Sequence, residues 1–414
     1  MFQQLEIILQ NCFPTISSLG WIPFEPTFVF RFSPISRKPI DICPQHCYYL
    51  CDRSRDRSRE RSQSSKSLQE GVLGKNRKTT IYDVAEKAGV SRQTVSRVLN
   101  NRDEVSEETR QRVKDIMIEL NFQPNAVAQS LSRQKSNLFG VVTAGLKYIG
   151  PSRTLSGITN KAEELGYGLL LKEMEYSDSA NIAPLLDWFK SHQVDGIIWA
   201  APEIEDNRRW VKDILPLIDI PIIFMTMEEQ TNATIVATDN LAGARIAVQH
   251  LLERGRKHIG HISGPLDWWE ARQRKAGWET ALADAGLPVD DRMWTQGNWS
   301  CKSGRSAFLE LVQKFPEMDG IFVGNDQMAL SVLQSSLEIG KKIPLDLSVV
   351  GFDGIADSEF YCPPLSTISQ NQDELGRIAV EELVSLTETK IKENRTVEPK
   401  YITIRPELII RKSS

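Results

Sequence analysis

The sequence predicts an α/β protein: a small all-α domain at the front, then parallel sheets flanked by helices. Three observations carry this expectation. From Leu138 onward, apolar strand-like runs (LFGVVT, YGLLL, DGIIWA, PIIFM, HIGHIS, GIFVG, SVVGF) alternate with helical stretches at Ala180–Lys190, Asn240–Arg254, Glu270–Ala285, Ser303–Gln313 and Asp326–Ile339. Strict alternation of this kind implies parallel strands covered on both faces, and the strands are too many for one compact sheet, so two side-by-side α/β subdomains are expected. Ahead of them, residues 80–132 carry short helical patterns broken by turn residues. Charge divides at the same place: Lys75–Ser136 holds 12 Lys+Arg against 8 Asp+Glu, whereas Asn137–Ser414 holds 29 against 39. A basic small module on an acidic large one suits a nucleic-acid reader joined to a sensor of something else.

Taken in order, residues 1–74 show no sustained period, and DRSRDRSRERSQSSKS is strongly hydrophilic and of low complexity. This stretch reads as a disordered extension or as a mis-assigned start, the translated chain then beginning near Val72 or Leu73. Cys12, Cys43, Cys47 and Cys51 crowd this stretch, but Cys43-x3-Cys47-x3-Cys51 lacks the paired spacing of known zinc modules, so no metal or other cofactor is expected. There is no run of eighteen apolar residues and no basic segment before an apolar core, so neither a membrane span nor an export signal is expected and the location reads as cytoplasmic.

Residues 75–123 read as a helix-turn-helix domain. Ile81, Val84, Ala85 and Ala88 share one helical face behind a capping Thr80, and Gly89 suits a turn of positive φ. Ser91 caps a second helix whose buried side holds Val95, Val98 and Leu99 and whose other side carries Arg92, Gln93, Thr94, Ser96 and Arg97. Beyond the polar loop at Asn100–Glu104, Ser106 caps a third helix, with Glu107 and Glu108 favourable in its first turn and Val113, Ile116, Met117 and Leu120 as its core face. Arg92, Gln93 and Arg97 can reach base edges, arginine suiting guanine and glutamine suiting adenine, each contact discriminating by about 1–3 kcal/mol. Thr80, Ser91, Thr94, Ser96 and Asn100 are better suited to positioning phosphates and capping helices.

DVAEKAGVS, TVSRVLN, VSEETRQRV and the Pro-Asn-x-x-Ala-x-x-Leu of Pro124–Leu131 together closely resemble the start of lactose-repressor-family transcription regulators. The resemblance continues through the rest of the chain, a region similar to periplasmic sugar-binding proteins. It implies a hinge helix within 124–136 that orders on DNA, with Asn125, Ala128 and a Leu131 that wedges into the minor groove. It also implies an effector-binding and dimerisation domain over 137–414. The N-subdomain would be 137–238 with 372–398 and the C-subdomain 239–369 with 402–414. The chain would cross between them near Thr238–Asp239, Ser369–Gln372 and Pro399–Ile402, with ligand bound in the cleft at the strand carboxyl ends.

Four segments match the family around that cleft: GPLDWWEARQRKAGW, GNWSCKSG, VGNDQMAL and GFDGIADSEFYCPPLSTI. They nominate Arg272, Asn325 and Asp353, which could clamp vicinal hydroxyls through charge-assisted hydrogen bonds. Trp299 and Trp268 offer walls for a sugar ring, Gln370 lies near a crossover, and Thr226 follows the fourth strand. Gly145, Lys147 and Tyr148 lie in the loop after the first strand. As structural residues instead, Asn325 and Asp353 would cap local turns and Trp299 would be core. Arg92 and Thr226 depart from the residues of the family's type member, which leaves the operator and the sugar unspecified.

The partners implied are a double-stranded palindromic operator, a mono- or oligosaccharide effector and a second copy of the chain, with Arg153–Leu165 among the dimer contacts. The sequence ends at PELIIRKSS without the leucine-heptad tail of tetrameric relatives, so a homodimer is expected. Most of the family releases DNA on binding a sugar; a minority binds DNA only with a corepressor such as a nucleobase. GxSxG, HExxH and P-loop patterns are absent, and no enzyme activity is expected.

Overall fold

A computed structural model describes residues 79–100, 102–123, 135–174, 182–393 and 397–414. The extension expected over 1–74, and Asn125, Ala128 and Leu131 of the expected hinge helix, lie outside these residues. The chain divides into two units at Gln123/Pro124.

The first unit is three helices: α1 (Ile81–Ala88), α2 (Arg92–Leu99) and α3 (Glu107–Glu119). The amide and hydroxyl of Thr80 both donate to the Asp83 carboxylate at 2.7 Å, which fixes the entry to α1. Gly89 ends that helix at φ 63°, a conformation that costs a side chain its Cβ clearance, and so turns the chain sharply into α2. Ser91 Oγ accepts from the Thr94 amide and Ser106 Oγ from the Thr109 amide, capping α2 and α3. Val84, Ala85, Ala88, Val95, Val98, Val105 and Val113 form the core.

In the second unit, two six-stranded sheets lie within one continuous fold. In chain order the elements are β1 (Leu138–Thr143), α4 (Ile149–Glu164), β2 (Gly168–Glu173), α5 (Ala183–Ser191), β3 (Gly196–Trp199), α6 (Arg209–Ile214), β4 (Ile222–Met225) and β5 (Thr234–Thr238). They continue with α7 (Asn240–Glu253), β6 (Ile259–Ser263), α8 (Trp269–Asp284), β7 (Trp294–Gln296), α9 (Cys301–Lys314), β8 (Gly320–Val323), α10 (Asp326–Glu338), β9 (Ser348–Asp353), β10 (Ser366–Ser369), α11 (Gln372–Glu393), β11 (Tyr401–Ile404) and β12 (Glu407–Ile409). The first sheet runs β11-β5-β4-β3-β1-β2 and the second β12-β10-β9-β8-β6-β7.

The central strands of the first sheet are buried on both faces, which is why they read as continuous apolar runs. One face packs on α4 and α11 through Ile158, Leu375, Ala379 and Leu383, the other on Phe189 and Trp210. Helices α4 and α11 approach so closely that a Cβ at Gly157 would overlap the Asp373 backbone. The second sheet has a single large core, built from α7 to α10 and centred on Trp278, Phe308, Phe322 and Phe352. Among the described residues, no helix is long and apolar enough to cross a membrane.

Two expectations need correction. Tyr401–Ile404 was assigned from residue 402 to the C-subdomain, but it pairs in parallel with β5 as the edge of the first sheet. The third crossing therefore falls after Ile404, at Arg405-Pro406, where a proline without an N–H suits a stretch between two ladders. Alternation is also not strict: no helix separates β4 from β5, and β12 joins β10 antiparallel, a hairpin-free pairing made by the returning chain end.

Asp326, fully buried at the start of α10, ties the strand ends of the second sheet together. Its carboxylate accepts from Thr367 Oγ1 at 2.5 Å and from the Ile355 amide at 2.9 Å. Burial, reinforced by nearby Asp353, pushes its pKa up to about 8 against the pull of those hydrogen bonds. A carboxyl raised on folding binds its proton more tightly in the native state, so its contribution to stability is complete below the ordinary carboxylate range and is lost as pH rises toward 8. Urea unfolding should therefore show stability falling between pH 5 and pH 8, and Asp326→Asn should flatten that slope. An unchanged slope in the variant would remove Asp326 as its source.

Candidate DNA-reading face and ligand pocket

In the first unit the exposed side of α2 carries Ser91, Arg92 and Gln93, with Thr94, Ser96, Arg97 and Asn100 partly exposed. Arg92 lies over the ring of Tyr82, 4.3 Å from guanidinium carbon to ring centroid, and donates to its hydroxyl. Tyr82 was not singled out from sequence, although an aromatic between Ile81 and Asp83 falls on the polar side of α1; it is 58% exposed. Its face presets the direction of Arg92. Arg97 pairs with Glu104 at 2.9 Å, an exposed ion pair of a type easily exchanged for a stronger partner. Thr80 serves as the α1 cap, and the Asn100 amide donates to Ser96 Oγ at 3.4 Å.

In the second unit a cavity of about 790 Å³, counting its space open to solvent, lies between the two sheets at their strand carboxyl ends. Loops after β1, β3 and β4 contribute Tyr148, Ala200, Pro202 and Thr226. From the second lobe come Trp268, Glu270, Arg274, Trp299, Asn325, Gln327 and Asp353, and the crossing strand adds Gln370 and Gln372. Six of the seven nominated residues thus meet here: Asn325, Asp353, Trp299, Trp268, Gln370 and Thr226.

Arg272 does not. Its Nη1 donates to the carbonyls of Leu266 and Asp267, its Nη2 lies 3.8 Å from Glu203, and its side chain is 41% exposed. The arginine in the cavity is Arg274, two residues on, a rotation of about 200° around α8. The sequence did contain the signal: Ala271, Arg274, Trp278 and Ala281 form the buried stripe of the helix, and Arg272 falls off it.

Arg274 is buried and densely partnered. Nε donates to Asn240 Oδ1 at 2.9 Å, Nη1 to the Gly324 carbonyl at 2.6 Å and to Asp353 Oδ1 at 3.4 Å, and the guanidinium lies 3.9 Å from the Phe352 ring centroid. Asp353 Oδ1 also accepts from Gln370 Nε2 at 2.5 Å. Burial holds the Asp353 carboxyl above its ordinary range, offset only in part by Arg274 and Gln370. Asn325 is at once a cap and a pocket residue: Oδ1 accepts from the Met328 amide at 2.9 Å, and Nδ2 donates to the Trp299 carbonyl at 3.0 Å.

Tyr148, Trp268 and Trp299 form an edge-to-face aromatic wall, with centroids 6.5 and 5.8 Å apart. Trp299 fits because Gly264 has no Cβ to meet its indole. Thr226 (φ 52°), Trp299 (φ 71°) and Asp353 (φ 111°) all hold left-handed backbone, a concentration of strain at the cavity.

At the mouth opposite the crossings, the lobes touch through backbone. The Trp269 amide donates to the Glu203 carbonyl at 3.0 Å and the Glu205 amide to the Asp267 carbonyl at 2.9 Å, an antiparallel bridge between Ile204 and Trp268. Burial pushes Glu203 upward and Glu270 up to about 7, and draws the Arg208 guanidinium down to about 10. Among the described residues, no three His, Cys, Asp or Glu side chains are grouped to hold a metal.

Comparison with known proteins agrees in both units. Residues 80–125 match the bacterial regulatory proteins of the lacI family, and residues 248–414 match the periplasmic binding protein-like domain. The chain is 35% identical over 310 residues to the lactose operon repressor of Escherichia coli (strain K12), covering 75% of this chain and 85% of that one. It is 31% identical to the ribose operon repressor of the same strain, covering 76% and 96%. The crystal structure of the lac repressor dimer bound to operator and the anti-inducer ONPF superposes with a TM-score of 0.72 at 33% identity, covering 81% of this chain and 99% of that chain. A complex of the transcriptional regulator CelR with cellobiose aligns with a TM-score of 0.59 at 27% identity, covering 81% and 100%. This chain belongs to the lacI family of bacterial regulatory proteins and is a DNA-binding transcription regulator.

Proposed function

We propose that the chain, as a homodimer, represses carbohydrate-utilisation genes from a palindromic operator and is released when a small sugar occupies the cavity between its lobes. The observation that carries this reading is the pairing of an aromatic wall, Tyr148–Trp268–Trp299, with the Arg274–Asp353–Gln370 cluster in one cavity. Flat apolar faces take the C–H side of a pyranose, and fixed charged and amide groups take its hydroxyls. Relatives named for the lactose and ribose operons, and one bound to cellobiose, support the ligand class. The domain division follows: residues 75–123 read the operator, 124–136 form the hinge, and 137–414 bind effector and dimerise. Arg92, Gln93 and Arg97 read bases; Thr80, Ser91, Thr94, Ser96 and Asn100 position the backbone; and Asn125, Ala128 and Leu131 act at the minor groove. The chain acts in the cytoplasm and turns over no substrate; hydrolysis of a sugar by purified protein would overturn the latter.

One observation favours a second reading, a corepressor-dependent regulator responding to a nucleobase or other metabolite. The indoles of Trp268 and Trp299 would stack on a planar base as readily as on a sugar ring. A gel shift on palindromic DNA from the neighbouring promoter, titrated with sugars and nucleobases, separates the two: sugars should release the complex, and strengthening by a base would establish the other sign.

Two substitutions sharpen the test. Arg274→Lys keeps the charge but loses the fork of contacts and should weaken the sugar response at least about tenfold with operator affinity retained. Arg272→Lys should leave that response nearly intact; the reverse ranking would contradict the placement. Arg92→Ala should relax base preference at one operator position, measured across a randomised half-site library, whereas a loss uniform over all sequences would make Arg92 a phosphate contact.

A further inference from the structure

We propose that the cavity selects a ligand that donates hydrogen bonds and carries no negative charge, an uncharged or amino-substituted sugar, and that Glu270 is the residue that sets this selection. The inference rests on the reading of the cavity as a carbohydrate effector site and narrows it.

Three charged side chains line the cavity: Glu270, Arg274 and Asp353. Arg274 and Asp353 are paired with each other, so the charge left over is that of Glu270. Its Oε2 is buried and, among the described residues, has no hydrogen-bond partner. A buried carboxylate oxygen without a donor is costly, and a ligand that supplies one removes that cost. Several of the cavity's donors are already engaged: Asn325 Nδ2 by the Trp299 carbonyl, Gln370 Nε2 by Asp353, and Arg274 Nε and Nη1 by Asn240, Gly324 and Asp353. The Trp299 indole Nε1 is a buried donor without a partner among the described residues and suits an uncharged acceptor oxygen. Gln327 and Gln372 also leave buried Oε1 atoms without partners. An amide can turn over and offer its NH2 instead, but a carboxylate can only accept until it gains a proton.

The surroundings of Glu270 reinforce this. Glu203 and Arg208 face it from the loop after β3, and Arg274 lies one turn along α8; their charges partly offset one another, and burial dominates. With its pKa pushed up to about 7, Glu270 is divided between two protonation states near neutrality. A hydroxyl or ammonium donor favours the carboxylate and expels the proton. A carboxylate or phosphate ligand would require the opposite, uptake of a proton and approach of like charge.

Calorimetry on the full chain would use matched neutral, amino, uronic-acid and 6-phosphate forms of hexoses and disaccharides, in buffers of different ionisation enthalpy near pH 7. The neutral or amino form should bind with proton release, and the acid and phosphate forms at least about 100-fold more weakly. Glu270→Gln should narrow that gap to within about tenfold and abolish the proton release; a larger loss for the amino than for the neutral form would mark an ammonium as the donor. Glu270→Asp, which keeps the charge on a shorter arm, should lose affinity for the neutral form but still reject anions, and serves as the folded control. Equal binding of an anionic form, or discrimination unchanged in Glu270→Gln, would overturn the assignment while leaving a carbohydrate site in place. Silence across every sugar form would sink the carbohydrate reading itself.

Discussion

The cleft depends on a guanidinium largely withdrawn from water at the floor of the cavity. Arg274 joins the start of α7, the end of β8 and the end of β9 through Asn240, Gly324 and Asp353. Removing a cation from water is expensive, and it is tolerated only when nearly every donor finds an acceptor in good geometry. Here a carboxylate, an amide oxygen and a main-chain carbonyl converge on it, and the Phe352 ring takes one face. The result is a polar floor whose geometry exists before any ligand arrives, since the same contacts that hold Arg274 also orient Asp353. Pre-orientation of this kind reduces the ordering that binding must supply.

Strain is distributed in the same place. Non-glycine residues rarely hold left-handed backbone, and for a side chain as large as tryptophan the conformation is costly. Trp299 keeps it because the indole is enclosed on one side by Gly264 and its carbonyl is held by Asn325. Asp353 keeps it because Arg274 and Gln370 grip its carboxylate. The fold thus uses packing and hydrogen bonds to hold side chains in directions that relaxed loops would not give them, which is what a recognition surface requires.

Much of this was legible in the residues, and the failures have physical causes. The first unit could be read almost to the residue, because helix caps, Gly89 and an apolar stripe are local signals. The central strands were equally plain, since burial on both faces makes them uniformly apolar. The short strands β7, β10, β11 and β12 span only three or four residues each, and their pairing is decided by distant partners rather than by their own pattern. That is how Tyr401–Ile404 came to be placed on the wrong side of the crossing. At the pocket, Asn325, Asp353 and the tryptophans sit at element ends, where sequence marks them as polar or aromatic interruptions. The family-matching segment that nominates Arg272 also contains Arg274, and only helix phase, which puts Arg274 on the buried stripe, tells the two apart. Glu270 was passed over because an acidic residue in the first turn of a helix is ordinarily a dipole partner, and only the fold reveals that its Oε2 is enclosed.

The connections between the lobes also decide where a ligand can act. On one side the chain passes between them three times, at Thr238–Asp239, Ser369–Gln372 and Ile404–Glu407. Covalent crossings limit separation there to changes in backbone torsion. On the opposite side the lobes meet through two main-chain hydrogen bonds, the Arg272–Glu203 approach and the Trp269 side chain, which is buried in the core of the first lobe. Net hydrogen bonds contribute on the order of 1 kcal/mol each, and an exposed ion pair less, so the burial of Trp269 dominates what opening this mouth costs. A ligand shifts an equilibrium only by the difference in its affinity for the two states. Glu270 lies one residue beyond the Trp269 amide that makes the bridge, so a donor placed on its carboxylate acts on the breakable side of the cleft and not on the hinge. The same side chain that discriminates between ligands is therefore placed to bias closure, and selectivity and response share one physical origin.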